Sequence, residues 1–140
     1  MVLPKVAVII SNYNYGEFVL DAIHSALDQD YEGDLRVFVL DDGSSDDSWE
    51  KISVFAANEI SKKTLDTPYY KGPIESREMD GLTAFRIDNS GASTARNVAI
   101  WEAWEWADVF AILDADDMYA QNKISIQVEK LMEHDDVGVT

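Results

Sequence analysis

The sequence predicts an α/β fold, a mostly parallel sheet flanked by helices, and three observations predict it. Short runs rich in Val, Ile, Leu and Phe alternate along the chain with segments of helical spacing. Most of these runs are apolar throughout instead of alternating with polar residues, as strands covered on both faces of a parallel sheet are. Three of them end on polar Asn, Asp, Gly or Ser, at the carboxyl edge where open sheets of this kind bind ligands.

The elements follow in order. Lys5–Ile10 is a β-branched apolar strand, stopped by the loop Ser11-Asn12-Tyr13-Asn14. From Phe18 to Leu27, Phe18, Ala22, Ile23, Ala26 and Leu27 share one helical face. Leu35–Leu40 is a second apolar strand, ended by Asp41-Asp42-Gly43-Ser44. Ser44 or Ser45 would cap the next helix, which Trp49, Ile52, Val54 and Phe55 support, with Asp46 and Asp47 near its positive end. Asn58 to Leu82 lacks periodicity and holds Pro68, Gly72, Pro73 and Gly81, so it is expected to be a variable loop or insertion. Thr83–Ile87 is a third strand, Asp88-Asn89-Ser90-Gly91 a turn, and Ala92 to Trp106 a helix. Val109–Leu113 is a fourth strand, closed by the acidic cluster Asp114-Ala115-Asp116-Asp117. Ile124, Val128 and Leu131 mark a last helix, and Val137–Thr140 resembles the opening of a fifth strand.

With 140 residues and 46% hydrophobic content, the chain can bury a core as a single domain, 1–140. Eleven basic residues against 27 acidic ones leave a net charge of −16. That charge argues against nucleic acid and anionic membrane as partners. A phosphate-bearing ligand would need a divalent cation between itself and such a protein. Without cysteine, neither a disulfide framework nor a thiolate metal site is possible. No secretory leader pattern and no apolar stretch near the ~20 residues of a membrane span are present, so a soluble, cytoplasmic domain is expected.

Each candidate site residue admits two readings at this level. Asp114 and Asp116, two residues apart at a strand end, would point to one side if the chain stays extended. Hard carboxylate oxygens so placed suit Mg²⁺ or Mn²⁺; alternatively Asp116 or Asp117 caps the following helix. EF-hand spacing fails, because counting from Asp114 the sixth and twelfth positions are Tyr119 and Ser125. Asp42 offers a carboxylate to a base or a ribose, or belongs to an ordinary strand-to-helix turn. Tyr13 stacks on a base or is a half-buried loop residue. Arg96 meets a diphosphate or pairs with a nearby acid; Glu102, six residues on, is poorly placed for that. Trp101, Trp104 and Trp106 are expected to be packing residues of their helix. No G-x-G-x-x-G follows the first strand, which disfavours a dinucleotide-binding domain, and the first loop lacks the Gly-rich sequence of sugar nucleotidyltransferases.

Four motifs in this order, Val6–Asn14, Val39–Asp46, Asn89–Asn97 and Ile112–Asp117, resemble the signatures of family 2 glycosyltransferases. The resemblance implies a GT-A (Rossmann-like) fold, a nucleotide-diphosphate sugar donor, most often a UDP-sugar, and inverting transfer. It implies that Ser11 and Tyr13 line the base pocket, Asp42 meets the base edge and Arg96 lies near the nucleotide. Asp114 is then on the ribose or metal side, and Asp116 ligates Mn²⁺ or Mg²⁺. Ser11-Asn12 stands where the family commonly has Pro-Thr. The family's catalytic Asp or Glu base is expected beyond Thr140, together with the acceptor site, so the domain is read as incomplete after its D-x-D half. The alternative is a non-catalytic nucleotide-sugar-binding or assembly module without that base.

Overall fold

The computed structural model describes residues 2–56 and 59–140. Six strands form one sheet: β1 (Val6–Asn12), β2 (Leu35–Asp41), β3 (Glu59–Asp66), β4 (Lys71–Met79), β5 (Leu82–Ile87) and β6 (Val109–Asp114). Their order across the sheet is β3-β4-β5-β2-β1-β6. β5, β2, β1 and β6 are parallel neighbours, and β4 runs antiparallel to both β3 and β5. Four helices accompany the sheet: α1 (Val19–Leu27), α2 (Ser48–Phe55), α3 (Ala92–Ala103) and α4 (Lys123–Glu133).

The central strands are apolar throughout because both faces are covered. Val6, Val8 and Ile10 of β1 pack with Ala22, Ile23 and Ala26 of α1, Ile52 of α2 and Ile124 of α4. Ala7 and Ile9 face the other way, onto Ala95, Val98 and Ala99 of α3. Small α3 residues let that helix lie close to the strands. Val6 through Ile10 are wholly buried, so the whole run contributes apolar burial to the core.

The stretch expected to be a loop is a hairpin. From Glu59 to Met79 the chain forms β3 and β4, in register from Glu59 opposite Glu78 to Asp66 opposite Lys71; Asn58 lies outside the described residues. The hairpin hides its pattern because it contributes few inward residues, Leu65, Tyr70 and Ile74, amid Lys62, Lys63, Glu75, Arg77 and Glu78. Pro73 and Gly72 inside β4 mask it further, since both are disfavoured in strand interiors. A polar turn is closed by Thr67, whose Oγ1 accepts from the amides of Tyr69 (3.2 Å) and Tyr70 (2.9 Å).

Other boundaries shift. β1 continues through Ser11 and Asn12, which were expected in the loop. Phe18 is the half-exposed residue before α1, and Val19 takes its place on the buried face. Val54 points to solvent, which explains the irregular stripe of α2. α3 stops at Ala103, not Trp106, and Val137–Thr140 is not a strand. Among the described residues no helix is long and apolar enough to cross a membrane.

Candidate functional site

The parallel strands β1, β2 and β6 all end at one edge, and their registers place Ser11 beside both Leu40 and Asp114. The site grows from what happens to the chain just beyond.

At the end of β1 and β2, Asn12 is buried and its Nδ2 donates to Asp41 Oδ1 at 2.8 Å and Ser44 Oγ at 3.2 Å. Asp41, fully buried, also accepts the Ser44 amide (3.0 Å) and faces the Arg86 guanidinium at 3.8 Å. Gly43 turns the chain with φ +67°, and a Cβ there would come within 2.6 Å of the Asn89 backbone nitrogen. Glycine is required on both counts. Ser44 is therefore part of this network and caps nothing. Helix α2 begins at Ser48, whose hydroxyl and amide are both held by Asp46 Oδ1, the amide at 2.9 Å.

Asp42 is also buried, yet on the opposite side of the strand from Asp41. Its Oδ1 accepts the Ser90 amide at 2.7 Å and its Oδ2 the Gly91 amide at 2.9 Å. Those amides lead into α3, so a carboxylate at this point also complements the helix dipole. Oδ2 also accepts from Asn89 Nδ2 at 3.4 Å, so the acceptor capacity Asp42 has left for a ligand is the second lone pair of Oδ1.

Arg96 sits one turn into α3 and reaches toward β6, with Nη2 3.7 Å from Asp114 Oδ1. Glu102 pairs instead with Lys63 at 3.5 Å. The Arg96 Nε is buried without a hydrogen-bond partner.

β6 ends at Asp114, and the chain turns at Ala115-Asp116 with the Asp117 amide donating to the Asp114 carbonyl at 3.0 Å. The extended geometry expected for Asp114-Ala115-Asp116 is therefore replaced by a turn. The turn still brings together carboxylate oxygens of Asp114, Asp116 and Asp117, all within 4.8 Å of one another. Asp117 does not cap a helix, because α4 starts six residues later at Lys123 behind Asn122. The donor set fits a hard cation: three exposed oxygen ligands, with open positions for water or phosphate. Nearby, burial and the negative charge of Asp114 push the Tyr119 phenol up to about 12. It stays neutral at physiological pH and donates to the Ile112 carbonyl.

The loop after β1 is fastened to the loop after β2. The Gly16 amide donates to Asp46 Oδ2 at 2.9 Å, and Lys51 Nζ donates to the Gly16 carbonyl at 2.9 Å. Burial pushes the Asp46 carboxyl upward. The Ser48 hydroxyl and amide, the Gly16 amide and the Lys51 charge together outweigh this and hold it below the usual carboxylate range. A depressed folded pKa contributes stability that is fully present above the unfolded value of about 3.9, and lost as pH falls through the folded one. Asp46→Asn is expected to flatten the acid limb of the stability curve below about pH 4, read by thermal denaturation across pH. An unchanged acid limb would contradict this.

All six residues singled out from sequence, Ser11, Tyr13, Asp42, Arg96, Asp114 and Asp116, line one cleft of about 270 Å³. Asn12, Tyr15, Ala92, Ala95 and Ala115 complete its walls. Sequence reasoning assigned no role to Asn12 or Tyr15, and the signal for the latter was its place two residues after Tyr13 in the same loop. Trp101 and Trp104, expected to pack, are largely exposed: Trp101 meets Tyr69 edge-on at 6.1 Å and Trp104 stacks on Phe110 at 5.7 Å. Trp106 packs as expected, against Phe38.

The class defined here is an open α/β domain of the GT-A type, with a polar cleft and an acidic turn at the carboxyl ends of its parallel strands. The chain belongs to glycosyltransferase family 2: the family model, glycosyl transferase family 2, matches residues 7–140. An uncharacterized glycosyltransferase of Nostoc sp. is 31% identical over 135 residues, which is 96% of this chain and 35% of that protein. Among solved structures, S. aureus TarS 1-349 in complex with UDP superposes with a TM-score of 0.64 at 21% identity, covering 94% of this chain and 33% of the TarS 1-349 chain. The mannosyltransferase PcManGT of Pyrobaculum calidifontis, in complex with GDP-Man and Mn²⁺, gives 0.70 at 24% identity, covering 94% of this chain and 33% of that one. The chain thus spans about a third of the length of these relatives.

Proposed function

We propose that this chain is the donor-binding part of a metal-dependent glycosyltransferase that uses a nucleotide-diphosphate sugar, a UDP-sugar in our reading. The observation that carries it is the convergence of residues from four separate motifs on one cleft, beside three carboxylates. In this reading Tyr13 lies against the base, Ser11 lines the base pocket and Asp42 accepts a base N–H with the spare lone pair of Oδ1. Arg96 donates to the nucleotide through its part-exposed guanidinium. Asp116 and Asp114 hold Mn²⁺ or Mg²⁺, with Asp117 beside them. A bound divalent ion would supply Lewis-acid stabilisation to the departing diphosphate. It also answers the charge problem, since a chain of net charge −16 repels a bare diphosphate.

The same family analogy makes the transfer inverting, with an acceptor hydroxyl attacking the anomeric carbon. The base for that step and the acceptor site are assigned to the part of the enzyme outside these residues. The relatives support the nucleotide class: TarS has been crystallised with UDP and PcManGT with GDP-Man and Mn²⁺. Calorimetric titration with UDP and GDP, each with and without Mn²⁺, is the direct test. UDP is expected to bind only with metal, and more tightly than GDP. No binding of either nucleotide would overturn the reading; tighter GDP binding would overturn its choice of base.

A further inference from the structure

Asn14 is the one non-glycine residue with a positive φ among the described residues, at +60°. It stands between Tyr13 and Tyr15, which both line the cleft. Its side-chain Oδ1 accepts from the Ser45 amide at 2.8 Å, the Asp46 amide at 3.2 Å and the Ser45 hydroxyl at 3.3 Å. Its own amide donates to Ser44 Oγ at 3.0 Å, which joins it to the buried Asp41–Asn12 network. We infer that Asn14 is a positioning residue for the nucleotide, a clip that fixes the tyrosine-bearing loop onto the β2–α2 loop; the inference rests on the donor-site reading above.

Two demands meet at this position. The left-handed backbone is readily adopted by glycine and tolerated by asparagine and aspartate, and is strained for other side chains. The Ser45 and Asp46 amides need an acceptor oxygen one side chain away, which glycine lacks. Only asparagine and aspartate satisfy both. Tyr13 and Tyr15 are about half exposed, so packing alone does not hold their loop. The other fastenings are through Asn12, through Gly16 and through the Tyr15 carbonyl, which accepts the Phe18 and Val19 amides at 2.9 Å, so Asn14 is the anchor that ties the Tyr13 side of the loop to the β2–α2 loop. A ring that must lie flat on a base gains from being held in place before the ligand arrives.

The test separates position from fold. Asn14→Gly keeps the backbone conformation and removes the acceptor; Asn14→Asp keeps both. UDP binding in Mn²⁺ is expected to weaken about tenfold in Asn14→Gly and to stay within about twofold of native in Asn14→Asp. In a Tyr13→Ala background, Asn14→Gly is expected to add less than about twofold, because its effect runs through that ring. Hydrogen exchange of the Ser45 and Asp46 amides should quicken in Asn14→Gly without ligand. Native affinity in Asn14→Gly, or a full tenfold loss persisting without the Tyr13 ring, would overturn the clip while leaving the donor site standing. A native chain that binds no nucleoside diphosphate would instead overturn the donor reading, and this inference with it.

Discussion

Asp42→Ala is expected to lower stability by about 3 kcal/mol, since hydrogen bonds to a buried charged acceptor contribute roughly 1.5–3 kcal/mol each and lose that when the acceptor goes. The carboxylate is 2% exposed and takes the Ser90 and Gly91 amides at 2.7 and 2.9 Å. Removing it leaves both amides without an acceptor at the entrance of α3, where no side-chain cap is present. Arg96 rides on the first turns of that helix, so its guanidinium loses its fixed place as well. Thermal denaturation should show the midpoint falling by about 10 °C, and Asp42→Asn, which keeps one acceptor oxygen, should recover part of it. A loss in Asp42→Ala below about 0.5 kcal/mol would mean that the loop finds other acceptors. UDP affinity is expected to fall in both variants, because Asp42 serves the helix and the proposed base contact together.

Asp116→Ala separates binding from stability in the opposite sense. Carboxylates within 4.8 Å of one another repel, and this cluster is exposed, so removing one should leave the metal-free protein as stable as before or slightly more so. Metal-dependent UDP affinity should fall by about 100-fold or more, because even groups one shell removed from a metal cost about 10–100-fold when lost. Two measurements check this. Mn²⁺ with UDP should raise the melting temperature of the native chain, since a ligand that binds only the folded state stabilises it, and should do little for the variant. Calorimetry should show the affinity loss directly. Equal metal-dependent affinity in the two proteins would remove Asp116 from the metal site.

Much of this site was legible because its residues sit at strand ends, and strand ends are announced by an apolar run breaking into Asn, Asp, Gly and Ser. Ser11, Tyr13, Asp42, Arg96, Asp114 and Asp116 needed no tertiary knowledge to be suspected, only position after a run or at a helix start. Each alone had a bland reading of similar weight. Their shared cleft is what the fold adds. The hairpin of β3 and β4 was illegible for a definite reason: an outer, half-covered hairpin shows three inward residues, one of them in its turn, among charged ones, and Pro73 argues against a strand. The capping serine was misplaced because Ser44 has a stronger use, inside the Asp41–Asn12 network, than at the end of a helix that starts four residues later.

The sequence by itself determined the alternation of strands and helices, the four motifs in order and the need for a cation beside any diphosphate. These are local or compositional properties, and a chain of residues states them directly. Only the tertiary structure decided that Asp41 and Asp42, adjacent in the chain, face opposite sides and serve different networks. It likewise decided that the acidic cluster closes as a turn with Asp117 included, and that Asn14 fastens one loop to another 31 residues away. Those facts depend on which strand lies beside which, and that is settled by the packing of both sheet faces, not by any residue's own preference.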